Sequence, residues 1–351
     1  MSRRPAPFSA ALSAALLAGI LFLGSCATAP RVPPLGPDSL GIEYLPLDPG
    51  AQVYVFADVD AGRPILNRVS LGGIADGQAA GILDRTQYAV LALYPPAPSA
   101  GAEVPRTMQA AAWGKYPGAG AGFYFAFSKD WKKKKSVVGK SYWYSAQNGL
   151  AVALNSRQAF VAIGEGAAAG QNNAADSKNP LDPFAASPGT PSPEGFTEFR
   201  RGAALTLWLE NPSAILNRFL DGMNLPLQIP AEELLIGLYP APSAEFAAKL
   251  SAGKQTSENG LANYEAILRI KTPSVSQARA LVTIFSMARL FAANAAGAGG
   301  IAAPSMAALA PILFANPPEQ DGAFLNIRTA LIDESEIALL FSLFSVYSIQ
   351  N

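Results

Sequence analysis

The sequence predicts an α+β protein of two tandem ferredoxin-like (β-α-β-β-α-β) repeats with mainly antiparallel sheets, followed by a C-terminal helix. Two fragments recur in the same order along the chain. ILNR occupies 65–68 and 215–218, and LYPPAPSA at 93–100 returns as LYPAPSA at 238–244. A strand-like apolar run precedes each copy, and two ordered matches with matching flanks indicate an internal duplication.

The second half shows the order of elements most clearly. Apolar periodicity predicts strands over 204–209, 234–239, 262–271 and 323–332, and helices over 212–223 and 274–293. Ser274 with Gln277 has the spacing of a capping box at a helix start. Asp333 with Glu336 has the same spacing, and it opens a last helix. Strand, helix, two strands, helix and strand is the order of a ferredoxin-like sandwich.

The first half begins in the same way and adds a meander. Strands are predicted over 53–59, 88–94, 107–115, 141–146, 150–154 and 158–163, and helices over 64–72 and 121–134. Asn148-Gly149 is a strong signal for a tight hairpin turn. Within the second of these helices, Phe123, Phe127 and Trp131 are spaced one turn apart.

The start of the chain has the pattern of a secretory signal. Arg3 and Arg4 precede an uncharged apolar run over 8–23. At 16 residues this run is shorter than the roughly 20 that a bilayer-spanning helix needs. A cleaved signal peptide is therefore favoured over a transmembrane helix.

The apolar run ends at the single cysteine of the chain. Leu23-Gly24-Ser25-Cys26 resembles the lipobox of bacterial lipoproteins, in the looser form found in spirochaetes. The resemblance implies cleavage before Cys26 and acylation of its thiol; the alternative is an ordinary cleaved signal with an incidental free thiol. In the proteins it resembles, an aspartate directly after the cysteine retains the protein at the inner membrane. This chain has Ala27 at that position. The resemblance therefore implies the outer membrane as the more expected location.

These signals divide the chain into five segments. They are a signal peptide over 1–25, an acylated cysteine and Pro-rich tether over 26–44, a first α+β repeat over 45–164, a flexible linker over 165–199, and a second repeat with the C-terminal helix over 200–351. The linker assignment rests on an Ala-, Gly-, Asn-, Ser- and Pro-rich stretch with little periodicity. The mature part loosely resembles two-repeat α+β envelope proteins of bacteria, a resemblance that implies no activity.

Composition excludes several chemistries. The chain has no histidine and one cysteine, so catalysis by Ser-His-Asp or Cys-His and zinc sites built from these ligands are impossible. We expect no metal, no cofactor and no enzymatic activity. Removing the signal leaves 24 basic and 26 acidic residues, which gives no basic field for nucleic acid. Asp58 and Asp60 form an isolated pair typical of a turn.

Two stretches could contact a membrane. Trp131 followed by Lys132, Lys133, Lys134 and Lys135 is either a soluble helix end or a contact to anionic headgroups, with Trp131 and the aromatic run over 142–144 at the interface. The apolar insertion over 300–314, which ends in Ile312, Leu313 and Phe314, either covers a sheet face or meets a partner or bilayer.

The sequence therefore predicts a lipid-anchored, non-enzymatic envelope protein. Its contacts would be membrane lipid through acylated Cys26, together with an envelope protein, an apolar ligand or the interface between its own repeats. The alternative is a module that binds a lipid or small apolar solute between the two repeats, and an enzyme with convergent buried carboxylates is the third possibility.

Overall fold

The computed structural model describes twelve parts of the chain. These are residues 44–68, 83–95, 106–145, 149–164, 181–184, 189–214, 216–217, 228–241, 264–298, 312, 315–333 and 336–337. The chain divides into two compact units, Met1–Thr197 and Glu198–Asn351. Within the described residues both units are mixed α+β with antiparallel strand pairs.

Unit 1 is built on a seven-stranded antiparallel sheet. Its elements are β1 (Tyr44–Leu45), β2 (Val53–Asp58), α1 (Val59–Arg68), β3 (Thr86–Leu93), β4 (Arg106–Gly114), α2 (Gly118–Phe127), β5 (Lys132–Lys135), β6 (Ser141–Ser145), β7 (Leu150–Leu154), β8 (Gln158–Gly164) and β9 (Thr190–Pro191). The strand order is β2-β3-β4-β8-β7-β6-β5, with every neighbouring pair antiparallel. Strands β1 and β9 form a separate two-stranded ladder.

Unit 2 has a five-stranded antiparallel sheet. Helix α3 (Phe196–Arg200) spans the boundary between the units. It is followed by β10 (Leu205–Glu210), β11 (Glu233–Pro240), β12 (Tyr264–Lys271), α4 (Val275–Ala298), β13 (Glu319–Asp321) and β14 (Phe324–Ile332). The strand order is β10-β11-β12-β14-β13.

Strands β2, β3 and β4 of unit 1 match strands β10, β11 and β12 of unit 2 in register. Val53 pairs with Leu93 in unit 1, and Leu205 pairs with Leu238 in unit 2. The amide of the residue before each first strand donates to that same leucine carbonyl, at 2.8 Å in unit 1 and 2.7 Å in unit 2. The third strand then pairs with the last long strand of its unit in both cases, β4 with β8 and β12 with β14. The Leu-Tyr-Pro part of the second recurring fragment, 93–95 and 238–240, thus lies at equivalent strand ends in the two units.

The strand order is not that of a ferredoxin-like sandwich, so this part of the fold prediction is wrong. In a ferredoxin-like unit the strands joined by a helix run parallel, with another strand between them. Here β2 and β3, which flank α1, are adjacent and antiparallel, and so are β10 and β11. Apolar periodicity specifies which segments are strands and helices. It does not specify which strands share hydrogen bonds.

The tyrosine of the recurring LYP fragment makes the same kind of contact in both units. The Tyr94 hydroxyl donates to the carbonyl of Asp48 at 2.8 Å, and the Tyr239 hydroxyl donates to the carbonyl of Phe199. Asp48 lies five residues before β2, and Phe199 lies six residues before β10. Burial raises the pKa of Tyr239 to about 12. The tyrosine therefore fixes the chain where it enters each sheet.

We expect Tyr239→Phe to lower the free energy of unfolding by about 1 kcal/mol, the usual net value of one hydrogen bond. Urea unfolding followed by tryptophan fluorescence measures it. Tyr94→Phe is the matched variant in unit 1 and should give a loss of the same order. A Tyr239→Phe variant as stable as the wild type would show that this hydroxyl contributes nothing to the entry of the chain into unit 2.

Part of the segment predicted to be a flexible linker is packed into unit 1, which corrects that prediction. Leu181 and Phe184 are buried, and β9 pairs with β1. The ring of Phe184 lies 4.9 Å from that of Phe160 in β8. Fully buried Gln109 donates to the carbonyl of Pro183 at 3.2 Å. A few apolar and polar anchors suffice to hold a segment whose average composition is that of a linker. Residues 165–180 and 185–188 lie outside the described residues.

The capping contacts predicted at both helix starts are present, although of the C-terminal helix the structure describes only residues 336–337. The backbone amide of Gln277 donates to the Ser274 hydroxyl at 3.3 Å. The backbone amide of Glu336 donates to a carboxylate oxygen of Asp333 at 2.9 Å. The side chain of Glu336 in turn accepts from the Asp333 amide at 2.8 Å. Of the second ILNR fragment, Leu216 and Asn217 are described and helical, and Asn217 accepts from the amide of Ile229 at 2.6 Å.

Candidate contact surface

Helix α2 is held on the unit 1 sheet by one buried ring. Phe125 is 1% exposed and belongs to a core cluster with Met108, Leu150, Val152 and Ile163. Its ring stacks on Trp143 of β6 at 5.5 Å between centroids. Trp131 meets the same ring edge-on at 4.6 Å. The two tryptophans therefore pack around Phe125.

The opposite side of α2 exposes two aromatic rings. Phe123 and Phe127 are 68% and 74% exposed, and their ring centroids lie 4.4 Å apart. Each is two residues from Phe125, so both side chains point away from the sheet on a helix of 3.6 residues per turn. Burying one such ring elsewhere would contribute about 1.5–3 kcal/mol. An exposed aromatic pair is therefore a candidate contact.

The lysine run is a strand, so the predicted helix over 121–134 is wrong beyond Phe127. Lys132–Lys135 form β5, which pairs with β6 and has all four side chains exposed. The helix ends at Phe127, and a turn at Lys129 and Asp130 separates it from the strand. Charged edge strands are common because they discourage unwanted strand pairing. Four consecutive lysines can protect the strand in this way, and their side chains need no helix to be exposed.

Alternation along β5 places its lysines on two faces of the sheet. Lys133 pairs with Trp143, so Lys133 and Lys135 lie on the face that carries α2. Lys134 lies on the other face, where its Nζ stands 4.6 Å from the centre of the Tyr144 ring. Partial burial, with a smaller contribution from Lys132, lowers the pKa of Lys134.

We name Phe123, Phe127, Lys133 and Lys135 the α2 surface. It combines exposed apolar rings with cations on one side of the unit 1 sheet. The sequence interpretation expected the interfacial aromatics to be Trp131 and the run over 142–144. Instead Tyr142 and Tyr144 are buried, and the two tryptophans are half-buried around Phe125. Spacing alone placed Phe123 and Phe127 on one helix side; it did not show that this side faces solvent.

Of the three residues of the apolar insertion that were proposed to contact a membrane, the structure describes only Ile312. Ile312 is helical and half-buried. Leu313 and Phe314 lie outside the described residues. Among the helices that the structure describes, none combines the length and apolar character required to cross a bilayer.

Short polar side chains of unit 1 make local hydrogen bonds that stabilise a helix start and a turn. Asp58 caps α1 by accepting from the amide of Ala61 at 3.2 Å. The Ser136 hydroxyl accepts from the amide of Val138 at 2.9 Å in the turn after β5. Within the described ranges, no group of three or more His, Cys, Asp or Glu side chains could hold a metal ion.

One carboxylate pair lies on unit 2. Glu210 and Glu233 are cross-strand neighbours, and Glu233 Oε1 is 3.5 Å from Nζ of Lys271 on the next strand. Partial burial and the charge of Glu233 raise the pKa of Glu210. Glu210, Glu233 and Lys271 thus form a row across β10, β11 and β12, where the ion pair of Glu233 with Lys271 links two neighbouring strands.

Comparisons with known proteins give a structural likeness only. No protein family model matches the chain, and no curated protein matches it. Among solved structures, crystal form III of TP0453, from the spirochaete Treponema, is 15% identical with a TM-score of 0.47, covering 89% of this chain and 99% of that one. Crystal form IV of TP0453 is 15% identical with a TM-score of 0.46, covering 84% and 93%. Crystal form I is 16% identical with a TM-score of 0.46, covering 87% and 99%.

Proposed function

We propose that this protein is a lipid-anchored, non-enzymatic lipoprotein of the bacterial cell envelope, with the outer membrane as its location, that acts by contact with a membrane surface or an envelope partner. Cys26 is the lipidation site in this proposal. The lipobox-like sequence before it supports acylation, and a Pro-rich tether follows it. The two or three acyl chains of a lipoprotein would provide stable anchoring, because a single chain binds only marginally.

The observation that carries the contact proposal is the exposed ring pair of Phe123 and Phe127 beside the lysines of β5. Anchoring would keep unit 1 near a lipid surface at all times. Each lysine near an anionic surface contributes about 1 kcal/mol, and each ring adds its burial energy. The α2 surface could therefore add a reversible contact to a permanent anchor.

We expect the chain lacking residues 1–26 to co-sediment with vesicles of phosphatidylglycerol and phosphatidylcholine. Phe123→Ser with Phe127→Ser should weaken binding by at least about 100-fold if both rings bury fully, because two rings contribute about 3 kcal/mol at the lower end of their burial energy. Glutamine at the four lysine positions of β5 should remove the dependence on anionic lipid. Raising salt from about 0.1 M to about 1 M should also weaken binding, since the Debye length falls from about 10 Å to about 3 Å.

Matched controls separate this surface from others. Val275→Ser changes an exposed apolar side chain of α4, and Arg279→Gln with Arg289→Gln changes exposed cations there. Both controls should bind like the parent. Salt-resistant binding that falls only when Ile312, Leu313 and Phe314 become serine would assign the contact to the insertion instead. Absence of binding to any vesicle would refute a membrane contact beyond the anchor.

A further inference from the structure

We propose that copies of this chain associate by pairing β5 of one copy with β13 of another. Among the strands that the structure describes, β5 is the last on one side of the unit 1 sheet, and β13 is the last on one side of the unit 2 sheet. All residues of both strands are exposed. A last strand presents backbone amides and carbonyls that another strand can pair with. This inference goes beyond the proposed function, because it requires neither acylation nor lipid contact.

The charges of the two strands select the partner. Strand β5 reads Lys-Lys-Lys-Lys, and β13 reads Glu-Gln-Asp. Like charges directly opposite each other are unfavourable across a strand pair, whereas opposite charges are favourable. Pairing β5 with β5 opposes lysines to lysines, and pairing β13 with β13 opposes acids to acids. Only the mixed pair brings opposite charges together.

The side-chain spacing of the two strands also matches. Glu319 and Asp321 are two residues apart, so they point to one face, and the same holds for Lys133 and Lys135. An antiparallel pair can thus oppose Lys133 to Asp321 and Lys135 to Glu319. The middle residue of β13 then faces Lys134.

The middle side chains are already engaged within their own units. Lys134 Nζ lies over the Tyr144 ring. The side-chain amide of Gln320 donates to the backbone carbonyls of Val275 and Gly322 at 3.2 and 2.9 Å. The register of the proposed pair is therefore determined by the charged residues that flank Lys134 and Gln320 in each strand. Because the two strands are different surfaces, the contact is head-to-tail and can repeat from copy to copy.

The test uses a cysteine in each strand of the full chain. Lys134→Cys and Gln320→Cys variants are mixed under mild oxidation, and disulfide-linked dimers are measured on non-reducing gels. These positions face each other in the proposed register and leave all four charged partners in place. We expect linked dimers in the mixture well above the level of either variant alone. The wild type sets the baseline for Cys26.

A second pair of variants tests the charges. Lys133→Glu with Lys135→Glu, added to the Lys134→Cys chain, should reduce linking by about tenfold, because two favourable pairs become like-charge pairs. Adding Glu319→Lys with Asp321→Lys to the other chain should restore it. A mixture of Lys134→Cys with Arg279→Cys, an exposed position on α4, should stay at the baseline.

Each remaining outcome overturns the proposal. Equal linking in the Lys134→Cys chain alone would show that β5 pairs with itself, and baseline linking in the mixture would show that the strands do not meet. Phe123→Ser with Phe127→Ser should leave linking unchanged while it weakens vesicle binding. A failure of strand pairing is thereby distinguished from a failure of membrane contact.

Discussion

Replacement of Cys26 by serine is expected to abolish incorporation of labelled palmitate. A serine hydroxyl does not provide the thiol to which the lipid would be attached, and the chain has no second cysteine. Loss of all acyl chains removes about 0.8 kcal/mol for every buried methylene, which is the whole anchoring energy of the proposed lipoprotein. Metabolic labelling followed by precipitation of the protein measures the effect, and sequencing of the mature wild-type protein should begin at Cys26.

Ser25→Ala is the matched control for this experiment. It keeps a small residue directly before the cysteine, so labelling and cleavage should both persist. Equal labelling of the wild type and Cys26→Ser would end the lipoprotein interpretation. A mature wild-type chain that begins elsewhere would also contradict it.

The second large effect is expected for Gln109→Leu in β4. Gln109 is 0% exposed, and its Oε1 accepts from the amide of Asp48 at 2.7 Å. The same Oε1 lies 2.8 Å from the Tyr94 hydroxyl, whose one proton is shared between this oxygen and the carbonyl of Asp48. Its Nε2 donates to the carbonyl of Pro183. Leucine has a similar size but cannot hydrogen-bond, and each polar group left unpaired in the interior costs about 1–3 kcal/mol. We therefore expect the free energy of unfolding to fall by roughly 2–4 kcal/mol.

Chemical denaturation gives this value as a shift of the midpoint at unchanged slope. Gln52→Leu is the matched control, since Gln52 is exposed, and it should change stability by less than about 0.5 kcal/mol. Limited proteolysis should also cleave Gln109→Leu faster near residues 181–184. A variant as stable as the wild type would mean that these packed residues are held by their apolar contacts alone.

Much of the local structure could be predicted from the sequence because its causes are local. Strand alternation located β7 at 150–154 and placed β12 and β14 to within two residues. Capping boxes located the starts of two helices, because the side chains that satisfy their first amides are three residues apart. The recurring fragments predicted two similar units, whose registers match.

The candidate surface was predicted only in part. The lysine run was recognised as the strongest charged stretch, but it was assigned to a helix, because Phe123, Phe127 and Trp131 continue a helical spacing. The backbone instead leaves the helix after Phe127, and Trp131 turns back to pack on Phe125. Phe125 also stacks on Trp143 of β6, a residue that only the folded sheet brings next to the helix.

By itself, the sequence determined the absence of histidine chemistry, the lipobox-like start and the identities of most strands and helices. The tertiary structure alone decided which strands are neighbours, the packing of residues 181–184 onto unit 1, and the exposure of Phe123 and Phe127. The physical reason is the range of the interactions involved. Composition, capping and periodicity act within a few residues, whereas strand pairing and burial depend on residues brought together from distant parts of the chain.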